Sequence, residues 1–424
     1  MKHRVVVTGL GVVSPNGVGI PAFTEAIKHG RSGISYFPKL KELNFSCQIG
    51  GTPEVSEEKK REYLTELELR NFNSSGILYG IIAGIDALND AGISIAPKDA
   101  EPLWDLGVLF GTGTSGVDKF REAIYKLDDA KVRRLGSTTV VQTMASGISA
   151  YLGGKIGAGN IVSTNSTACA TGTEAVIMGY ERIASGKATQ MLCGSTSDGG
   201  PYVWGGFDAM KVITYKHNET PESGSRPLSA SASGFVPGSG AGAVILESLE
   251  SALARNATIY AEVLGGSINS GGQRAGGSMT APNSTAVQRC IKDAIAAAEI
   301  DASELDYING HLTATIKDPV EVQNWCEALE RGQKDFPYIN SLKGMVGHCL
   351  AASGSVEIVS ALLQLHQGFV FPNINCEDLH PEVTKYVDES RIPRELTHVK
   401  LKTIAKASFG FGDVNACIIF RALE

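Results

Sequence analysis

Cys169 lies in a sequence setting that could make its thiol a nucleophile. It belongs to the segment STNSTACATG, residues 163–172, where an apolar run gives way to small residues and then to a helical pattern. Small neighbours permit a sharp strand-to-helix turn that exposes the side chain. The N–H groups and positive dipole end of a helix N-terminus lower the pKa of a nearby thiol. An inert buried cysteine is the alternative, and this segment alone leaves both open.

Two further segments place histidines beside hydroxyl or amine groups. His311 lies in INGHLTAT, residues 308–315, and Asp318 follows; this pattern suits a polar pocket at the end of a strand. Lys343 and His348 flank glycines in NSLKGMVGHCLAASG, residues 340–354, ahead of a helix whose small residues would allow close packing. Taken singly, the segments also fit a loop histidine, or plain helix packing beside a solvated lysine.

The fourth segment, ASFGFGD at residues 407–413, alternates Phe409 and Phe411 with glycines. Glycines free the backbone to point N–H groups at a ligand. A glycine-rich turn carrying two core aromatic residues is the plainer interpretation, and this segment alone does not exclude it.

The elements that must position these residues follow from the alternation of short apolar runs with helical patterns, which predicts α/β layers and a mostly parallel sheet. The first strand is expected to turn at Gly9 and Gly11. Similar strand-plus-glycine openings, GLGVVSPNG and LGGSINSGG, hint at an internal duplication with a seam near 249–258. The predicted strands are 4–8, 106–110, 161–164, 190–194, 238–247, 259–264 and 307–308, and the predicted helices are 74–91, 170–183, 284–298 and 356–367.

Length and composition narrow the functional classes. A chain of 424 residues with 43% hydrophobic residues is too long for one ordinary core and indicates two domains or two fused halves. The net charge of −7 and the lack of a basic block argue against nucleic acid as a partner. No apolar run is long enough to span a membrane. The eight cysteines form no CxxC pair and the eight histidines no HxxxH pair, which predicts a reduced, cytoplasmic protein without a metal site.

Together the four segments resemble the β-ketoacyl-acyl carrier protein synthases, most closely the synthase II type, within the thiolase superfamily. TACATG at 167–172 matches the nucleophile motif, NGHLTAT at 309–315 resembles NAHGTST, KGMVGHCLAASG at 343–354 resembles KSxxGHxxGAAG, and SFGFGDVN at 408–415 resembles SFGFGGTN. The resemblance covers nearly the whole chain. It implies an α/β thiolase fold of five layers, α-β-α-β-α, built from two duplicated halves at 1–250 and 251–424.

The resemblance also implies roles for individual residues. Cys169 would hold an acyl group as a thioester, and His311 and His348 would stabilise the enolate formed when a malonyl carrier loses carbon dioxide. The product would be a 3-oxoacyl-acyl carrier protein, in fatty acid or in specialised polyketide, polyene or pigment synthesis. The N–H groups of Cys169 and Phe411 would form the oxyanion hole, and Phe411 would also act as a gate that Phe409 supports. Lys343 with Glu357 would order the site, and Asp318 would support it. Thr280, Thr313 and Thr315 would bind the pantetheine arm, and Thr114 would line the acyl pocket.

The implied partners are an acyl carrier protein, which supplies the phosphopantetheine so that no other cofactor is needed, and a second subunit. A homodimer with a sheet continuing across its two-fold axis is expected, and a heterodimer with a chain-length partner stays open. Rival interpretations are a non-catalytic chain-length subunit, which would lack the nucleophilic cysteine, thiolase-type chemistry, which uses a second cysteine, and a cysteine hydrolase. The pair of histidines favours decarboxylative condensation.

The chain departs from the family pattern at several points. Leu312 replaces the usual glycine beside the first histidine, and Asp413-Val414 replaces Gly-Thr. The segment Arg226–Gly234 lacks a usual charged pair, and the basic cluster before the long N-terminal helix is reduced to Arg70. These differences predict a specialised synthase and leave carrier preference open.

Overall fold

The computed structural model describes residues 3–423 and consists of one large mixed sheet with helices on and between its two halves. The strands are β1 (Val5–Ser14), β2 (Gly17–Val18), β3 (Ile34–Tyr36), β4 (Ile49–Gly51), β5 (Leu106–Thr112), β6 (Val162–Ser163), β7 (Gln190–Ser197), β8 (Gly240–Ser248), β9 (Ala261–Ser270), β10 (Tyr307–Asn309), β11 (Tyr338–Asn340), β12 (Phe369–Val370), β13 (Thr397–His398), β14 (Thr403–Gly410) and β15 (Val414–Arg421).

The helices alternate with these strands along most of the chain. They are α1 (Ile20–Lys28), α2 (Pro38–Glu42), α3 (Glu57–Tyr63), α4 (Glu66–Leu69), α5 (Ser75–Asp90), α6 (Val117–Asp128), α7 (Thr139–Thr143), α8 (Gly147–Ile156), α9 (Thr171–Ala184), α10 (Pro201–Ala209), α11 (Leu249–Ala254), α12 (Ser284–Ala297), α13 (Asp318–Leu329), α14 (Lys343–Val346), α15 (Ser353–Gln367) and α16 (Pro381–Thr384). Among the described residues, no helix is long and apolar enough to cross a membrane.

Two five-strand arrays form the large sheet. One runs in the order β1-β8-β7-β5-β6 and the other in the order β9-β15-β14-β10-β11, and β1 and β9 join them through the pairs Val5–Val263, Val6–Glu262 and Val7–Ala261. Helices α5 and α8 cover the outer face of the first array, and α12 and α13 lie outside the second. Helices α9 and α15 lie between the arrays and contact strands of both. This gives the five layers α-β-α-β-α of the thiolase fold, as the resemblance implied.

The sheet is mixed rather than mostly parallel, so that part of the prediction was wrong. In each array the parallel pairs involve the outer strands, β5–β6 and β5–β7 in one and β10–β11 and β10–β14 in the other. The inner pairs β1–β8, β7–β8, β9–β15 and β14–β15 are antiparallel. Alternating helical and apolar segments indicate layers but not strand direction, since β14 and β15 are joined directly, without a crossover helix.

The expected turn at Gly9 and Gly11 was also wrong, because β1 continues through both residues, with a register irregularity between Val7 and Gly9. A Cβ atom on Gly9 would lie 2.2 Å from the carbonyl oxygen of Ala87, and one on Gly11 would lie 1.9 Å from that of Ala83. These glycines therefore allow α5 to pack against β1 at backbone distance. Gly265 does the same in the second array, where an added Cβ would lie 2.7 Å from Ala297 of α12.

The division into halves at 1–250 and 251–424 stays a prediction. Helix α11 (Leu249–Ala254) spans that position and contacts β1 and β8 of the first array. The second array begins at β9, after this helix.

Candidate active site

The two central helices begin next to each other, and each follows a residue singled out in the sequence. Cys169 lies in a 3₁₀ turn, Ala168–Ala170, that leads into α9, and His348 precedes a 3₁₀ turn, Leu350–Ala352, that leads into α15. Both turns start at a residue with positive φ, Ala168 at 48° and Leu350 at 52°. The duplicated fold thus uses the same local conformation twice to bring two side chains to one point.

Gly172 and Gly354 allow the two helix starts to touch. A Cβ atom on Gly172 would lie 2.4 Å from the backbone nitrogen of Ser355, and one on Gly354 would lie 2.6 Å from that of Thr173. Real Cβ contacts are longer than this, so larger residues would force the helices apart. The small residues in the segments around Cys169 and His348 therefore allow the first turns of α9 and α15 to pack closely together.

The thiol of Cys169 is buried but faces a polar site. The residue is 9% exposed, and its Sγ lies 3.1 Å from Nε2 of His348. Burial raises the pKa of the thiol to about 11, against opposing effects from the Lys343 charge and from the backbone N–H groups of Phe411 and Cys169. The expectation of a lowered pKa was wrong in the free protein, because burial outweighs these groups. These are the two N–H groups expected to form the oxyanion hole, and that role stays a prediction.

His348 has a defined tautomer when neutral. The backbone N–H of Leu350 donates to Nδ1 over 3.1 Å, and the Ser353 hydroxyl lies 2.9 Å from the same atom. Since a backbone N–H can only donate, Nδ1 accepts and the proton of the neutral ring is on Nε2. Burial, followed by the Lys343 charge, lowers the pKa of His348 well below its usual value, so the ring is neutral at pH 7. Nε2 is therefore an N–H donor that points at Cys169.

His311 meets His348 edge to face, with ring centroids 5.6 Å apart. Its Nδ1 is buried without a hydrogen-bond partner. Burial, followed by the charge of Lys343, lowers the pKa of His311 well below its usual value. The two histidines are thus neutral neighbours, and Phe409 packs against His311 with ring centroids 6.0 Å apart.

Two buried carboxylates fix the loop that carries His311. Glu321 accepts the N–H groups of His311 and Leu312 over 2.6 and 2.7 Å. Asp318 accepts the N–H groups of Thr313, Ala314, Thr315 and Leu228 over 3.0 to 3.2 Å. Burial raises the pKa of Asp318 to about 6 despite these donors. The loop needs such support because Leu312 has a φ of 23° and Ala314 one of 62°.

Lys343 is buried rather than solvated and belongs to a charged cluster behind His311. Its Nζ donates to the carbonyl oxygen of His311 over 2.6 Å and to Oε1 of Glu357. The other carboxylate oxygen of Glu357 lies 2.9 Å from Nζ of Lys406, which is fully buried. Lys343, Glu357 and Lys406 therefore form one ion cluster in contact with the His311 backbone.

A cavity of about 560 Å³ leads from these residues to the surface. Cys169, His311, His348, Phe409 and Phe411 line it, and so do the exposed Lys211, Ile316 and Lys317. Thr280, Thr313 and Thr315 are also in its lining, and the last two hydroxyls are 3.1 Å apart. The Phe411 ring contacts Phe207 edge to face, with centroids 6.0 Å apart.

The structure brings most of the predicted site residues to this cavity or directly behind it. Thr114 is the exception, since it is exposed and not part of the lining, so its acyl-pocket role stays a prediction. Sequence reasoning missed Glu321, Ser353 and Lys406. Lys406 had a signal, because it is a lysine inside the apolar strand TIAKASFG. Glu321 had a weaker one, one helical turn after Asp318.

The reactive atoms of Cys169, His311 and His348 all lie within 4.8 Å of one another. One small group, such as a thioester carbonyl or a metal ion, could contact all three. Two neutral imidazoles and a thiol next to backbone N–H groups are donors, and donors stabilise negative charge that develops on a substrate oxygen. That the site works without a metal stays a prediction.

Comparison with known proteins connects this geometry to one family. The family profile for "Beta-ketoacyl synthase, N-terminal domain" matches residues 2–252, and that for "Beta-ketoacyl synthase, C-terminal domain" matches residues 260–377. The chain is 32% identical to 3-oxoacyl-[acyl-carrier-protein] synthase 1 of Escherichia coli, with 99% of both chains covered. It is also 32% identical to 3-oxoacyl-[acyl-carrier-protein] synthase 2 of Vibrio harveyi, over 100% of this chain and 99% of the relative.

A solved structure extends the likeness to three dimensions. It contains a type II PKS acyl-carrier protein in complex with its ketosynthase bound to the hexaketide. The match has a TM-score of 0.86 and 29% identity and covers 100% of both chains.

Proposed function

The chain belongs to the β-ketoacyl synthase family, and we propose that it joins an acyl group held on Cys169 to a malonyl unit by decarboxylative Claisen condensation. The observation that carries this proposal is the meeting of Cys169, His311 and His348 within 4.8 Å at the inner part of a cavity that reaches the surface. A thiol nucleophile and two neutral N–H donors are the groups that this reaction needs.

In the first step, the Cys169 sulfur attacks the thioester carbonyl of an acyl carrier. The backbone N–H groups of Cys169 and Phe411 bind the oxyanion, and each such donor contributes about 2.7–4 kcal/mol in related sites. The carrier thiol leaves with the proton that Cys169 loses. Because the free thiol has a raised pKa, the Nε2–H of His348 has a second use here, stabilising the thiolate as it forms.

In the second step, the two histidines bind the thioester carbonyl of a malonyl carrier. Loss of carbon dioxide leaves an enolate, whose oxygen accepts hydrogen bonds from the imidazoles of His348 and His311. Neutral rings suit this role because they donate without transferring a proton. Burial and Lys343 keep both rings neutral.

In the third step, the enolate carbon attacks the Cys169 thioester, a carbon–carbon bond forms and the sulfur leaves. One proton from solvent restores the thiol. The balance is acyl-Cys169 plus malonyl carrier plus one proton, giving 3-oxoacyl carrier, carbon dioxide and free Cys169. The chain itself needs no other cofactor for this sequence.

An acyl carrier protein is the proposed partner, and its phosphopantetheine arm fits the cavity. Thr313 and Thr315 offer hydroxyls along the lining, with Thr280 nearby. Lys211 and Lys317 are exposed on the same lining and attract an acidic carrier, which offsets the net charge of −7 and the loss of basic residues near Arg70. Phe411 is the proposed gate, because it lines the cavity together with Cys169 and its ring contacts Phe207.

A homodimer is proposed, formed at the free edge of the sheet. Strand β6 ends the array, and its Val162 is 40% exposed. Unpaired strand edges favour pairing with a second chain. Light scattering at micromolar concentration would give twice the monomer mass, and a monomer would contradict the proposal.

The pathway is proposed to be fatty acid synthesis or specialised polyketide, polyene or pigment synthesis. The presence of Cys169 beside both histidines speaks against a non-catalytic chain-length subunit. No described cysteine other than Cys169 lies with the two histidines, which speaks against thiolase-type chemistry. Glu321 and Asp318 bind backbone N–H groups rather than a histidine ring, so no hydrolase triad is formed.

The test is intact-protein and peptide mass spectrometry after incubation with a panel of acyl carriers. Cys169 is expected to gain the acyl mass, and the preferred chain identifies the pathway. The Cys169→Ala variant should show no acylation and no condensation with malonyl carrier. Cys326→Ala is a matched control, because Cys326 is 8% exposed, about as buried as Cys169, and does not line the cavity. Undiminished condensation by Cys169→Ala would sink the catalytic assignment.

A further inference from the structure

Lys406 is a buried charged residue that the three steps above do not use. It lies on β14 with no exposed surface. Its Nζ lies 2.9 Å from Oε2 of Glu357, donates to the Ser408 hydroxyl over 3.1 Å and contacts the carbonyl oxygen of Ala407. A lysine is almost never fully buried unless it is paired. Ala407 and Ser408 accept its hydrogen bonds, and Glu357 supplies the opposite charge.

Glu357 is shared between two lysines, one on each carboxylate oxygen. Oε1 pairs with Lys343 and Oε2 with Lys406, and both side chains of each pair are at most 2% exposed. Oε2 lies 2.9 Å from the Lys406 ammonium but accepts no hydrogen bond, so the charge of Lys406 is what holds this oxygen in place. If Lys406 were uncharged, Oε2 would be buried without a cation, and the group could rotate toward Lys343. The position of Lys343 thus depends on Lys406 through Glu357.

The chain of contacts continues to the active site. Lys343 donates to the carbonyl oxygen of His311 over 2.6 Å, and His311 precedes Leu312, whose φ of 23° needs external support. On the other side, Ser408 contacts the Thr173 hydroxyl over 2.9 Å, on the helix that follows Cys169. Ser408 and Thr173 contact each other directly, so the helix that follows Cys169 does not depend on the charge of Lys406.

The cluster also has more positive than negative charge. Two lysines contact one glutamate, and burial lowers the pKa of Lys406 while the charges of Glu357 and, to a smaller degree, Glu321 oppose that change. The charges of Lys343 and Lys406 both act, after burial, to lower the pKa of His348. An excess of positive charge beside an imidazole favours its neutral form.

We propose that Lys406 is a positioning residue for the decarboxylation step, holding Glu357 so that Lys343 fixes the His311 loop in the geometry that binds the enolate. The inference rests on the proposed function and adds to it a residue outside the matched motifs. Acyl transfer to Cys169 relies on the N–H groups of Cys169 and Phe411, so it depends less on this cluster. The two half-reactions should therefore respond differently to a change at Lys406.

The test compares the two half-reactions in Lys406→Met, which removes the charge and keeps much of the length. Acylation of Cys169 is followed by intact mass, and carbon dioxide release from malonyl carrier is followed with preformed acyl-enzyme. Release is expected to fall about tenfold to a hundredfold, as for small displacements of a catalytic group, while acylation falls less than about threefold. Lys119→Met is the matched control, because Lys119 is 2% exposed and paired with Glu122, and it should change neither rate.

Equal losses in both half-reactions, or no loss in either, would overturn the proposal. If Lys406→Met does not fold, Lys406→Gln tests the same link with a polar side chain, and the same selective loss is expected. Glu357→Gln removes the charge that both lysines contact, so the double variant Lys406→Met/Glu357→Gln should lose less than the product of the two single losses, because the residues act through one contact. Failure of the wild-type protein to acylate Cys169 or release carbon dioxide would instead contradict the proposed function.

Discussion

The defined tautomer of His348 leads to a prediction that separates hydrogen-bond donation from simple occupancy. Replacement by leucine keeps an apolar side chain of moderate size but removes the N–H donor, and replacement by glutamine returns an amide N–H near the position of Nε2. We expect His348→Leu to slow carbon dioxide release and His348→Gln to recover part of the loss. Both variants lose the imidazole and only the glutamine variant keeps an N–H donor, so the difference between their rates measures hydrogen-bond donation.

The magnitude follows from the contacts. One preorganised donor to a developing oxyanion is worth about a hundredfold to a thousandfold in rate. His348→Leu should lose that factor, and His348→Gln should be at least about tenfold faster than the leucine variant. Leucine also leaves the Leu350 N–H, which donates to Nδ1, without its acceptor, and a buried unsatisfied donor costs about 1–3 kcal/mol of folding stability.

The assay is single-turnover carbon dioxide release from malonyl carrier at saturating protein, with urea unfolding of each variant in parallel. Unfolding data separate the stability cost from the rate effect. Equal rates for the leucine and glutamine variants would refute the donor role, and so would a leucine variant as fast as the wild type.

Three further predictions concern the same site. The rate of Cys169 alkylation by iodoacetamide should still increase with pH above pH 9, because burial raises the thiol pKa to about 11. Cys326→Ala is the control and should show the same pH dependence. A rate that reaches its plateau below pH 8 would contradict the raised pKa. The pKa of His348 is lowered in the folded state. The unfolded chain therefore binds more protons below about pH 6.5, and folding stability falls there as the pH decreases. In thermal unfolding between pH 7.5 and 5.5, His348→Gln should reduce this loss of stability, and an unchanged dependence of stability on pH would contradict the lowered pKa. Gly354→Ala would place a Cβ 2.6 Å from the Thr173 nitrogen and should cost about 1–3 kcal/mol in urea unfolding, whereas a neutral effect would show that the two helices can separate freely.

The sequence predicted the structure best where one short segment determines the local backbone conformation. The motif around Cys169 correctly predicted a strand, a turn and a helix N-terminus. A sharp strand-to-helix turn has room only for small side chains, so the run of small residues indicates where the turn lies. His348 could be placed for the same reason, since Gly354 and its neighbours reveal a close helix contact. These are local properties, and local sequence encodes them.

What the sequence did not reveal depends on contacts between distant segments. The glycines Gly9 and Gly11 look like a turn, and only the packing of α5 on β1 shows that they serve a close approach. Lys406 pairs with Glu357 across 49 positions of chain, and no local pattern links them. The thiol pKa of Cys169 is likewise set by burial under residues from both halves, which outweighs the helix N-terminus.

In the proposed reaction, an acyl group on Cys169 is joined to a malonyl unit with loss of carbon dioxide. The most direct measurement is mass spectrometry of the carrier after isolated acyl-enzyme is mixed with malonyl carrier labelled with ¹³C at the two carbons that are retained. Decarboxylative condensation should give a 3-oxoacyl carrier that contains the whole original acyl group and both labelled carbons, with Cys169 returned to its free mass. Release of the acyl group as free acid, or a product lacking either part, would contradict it.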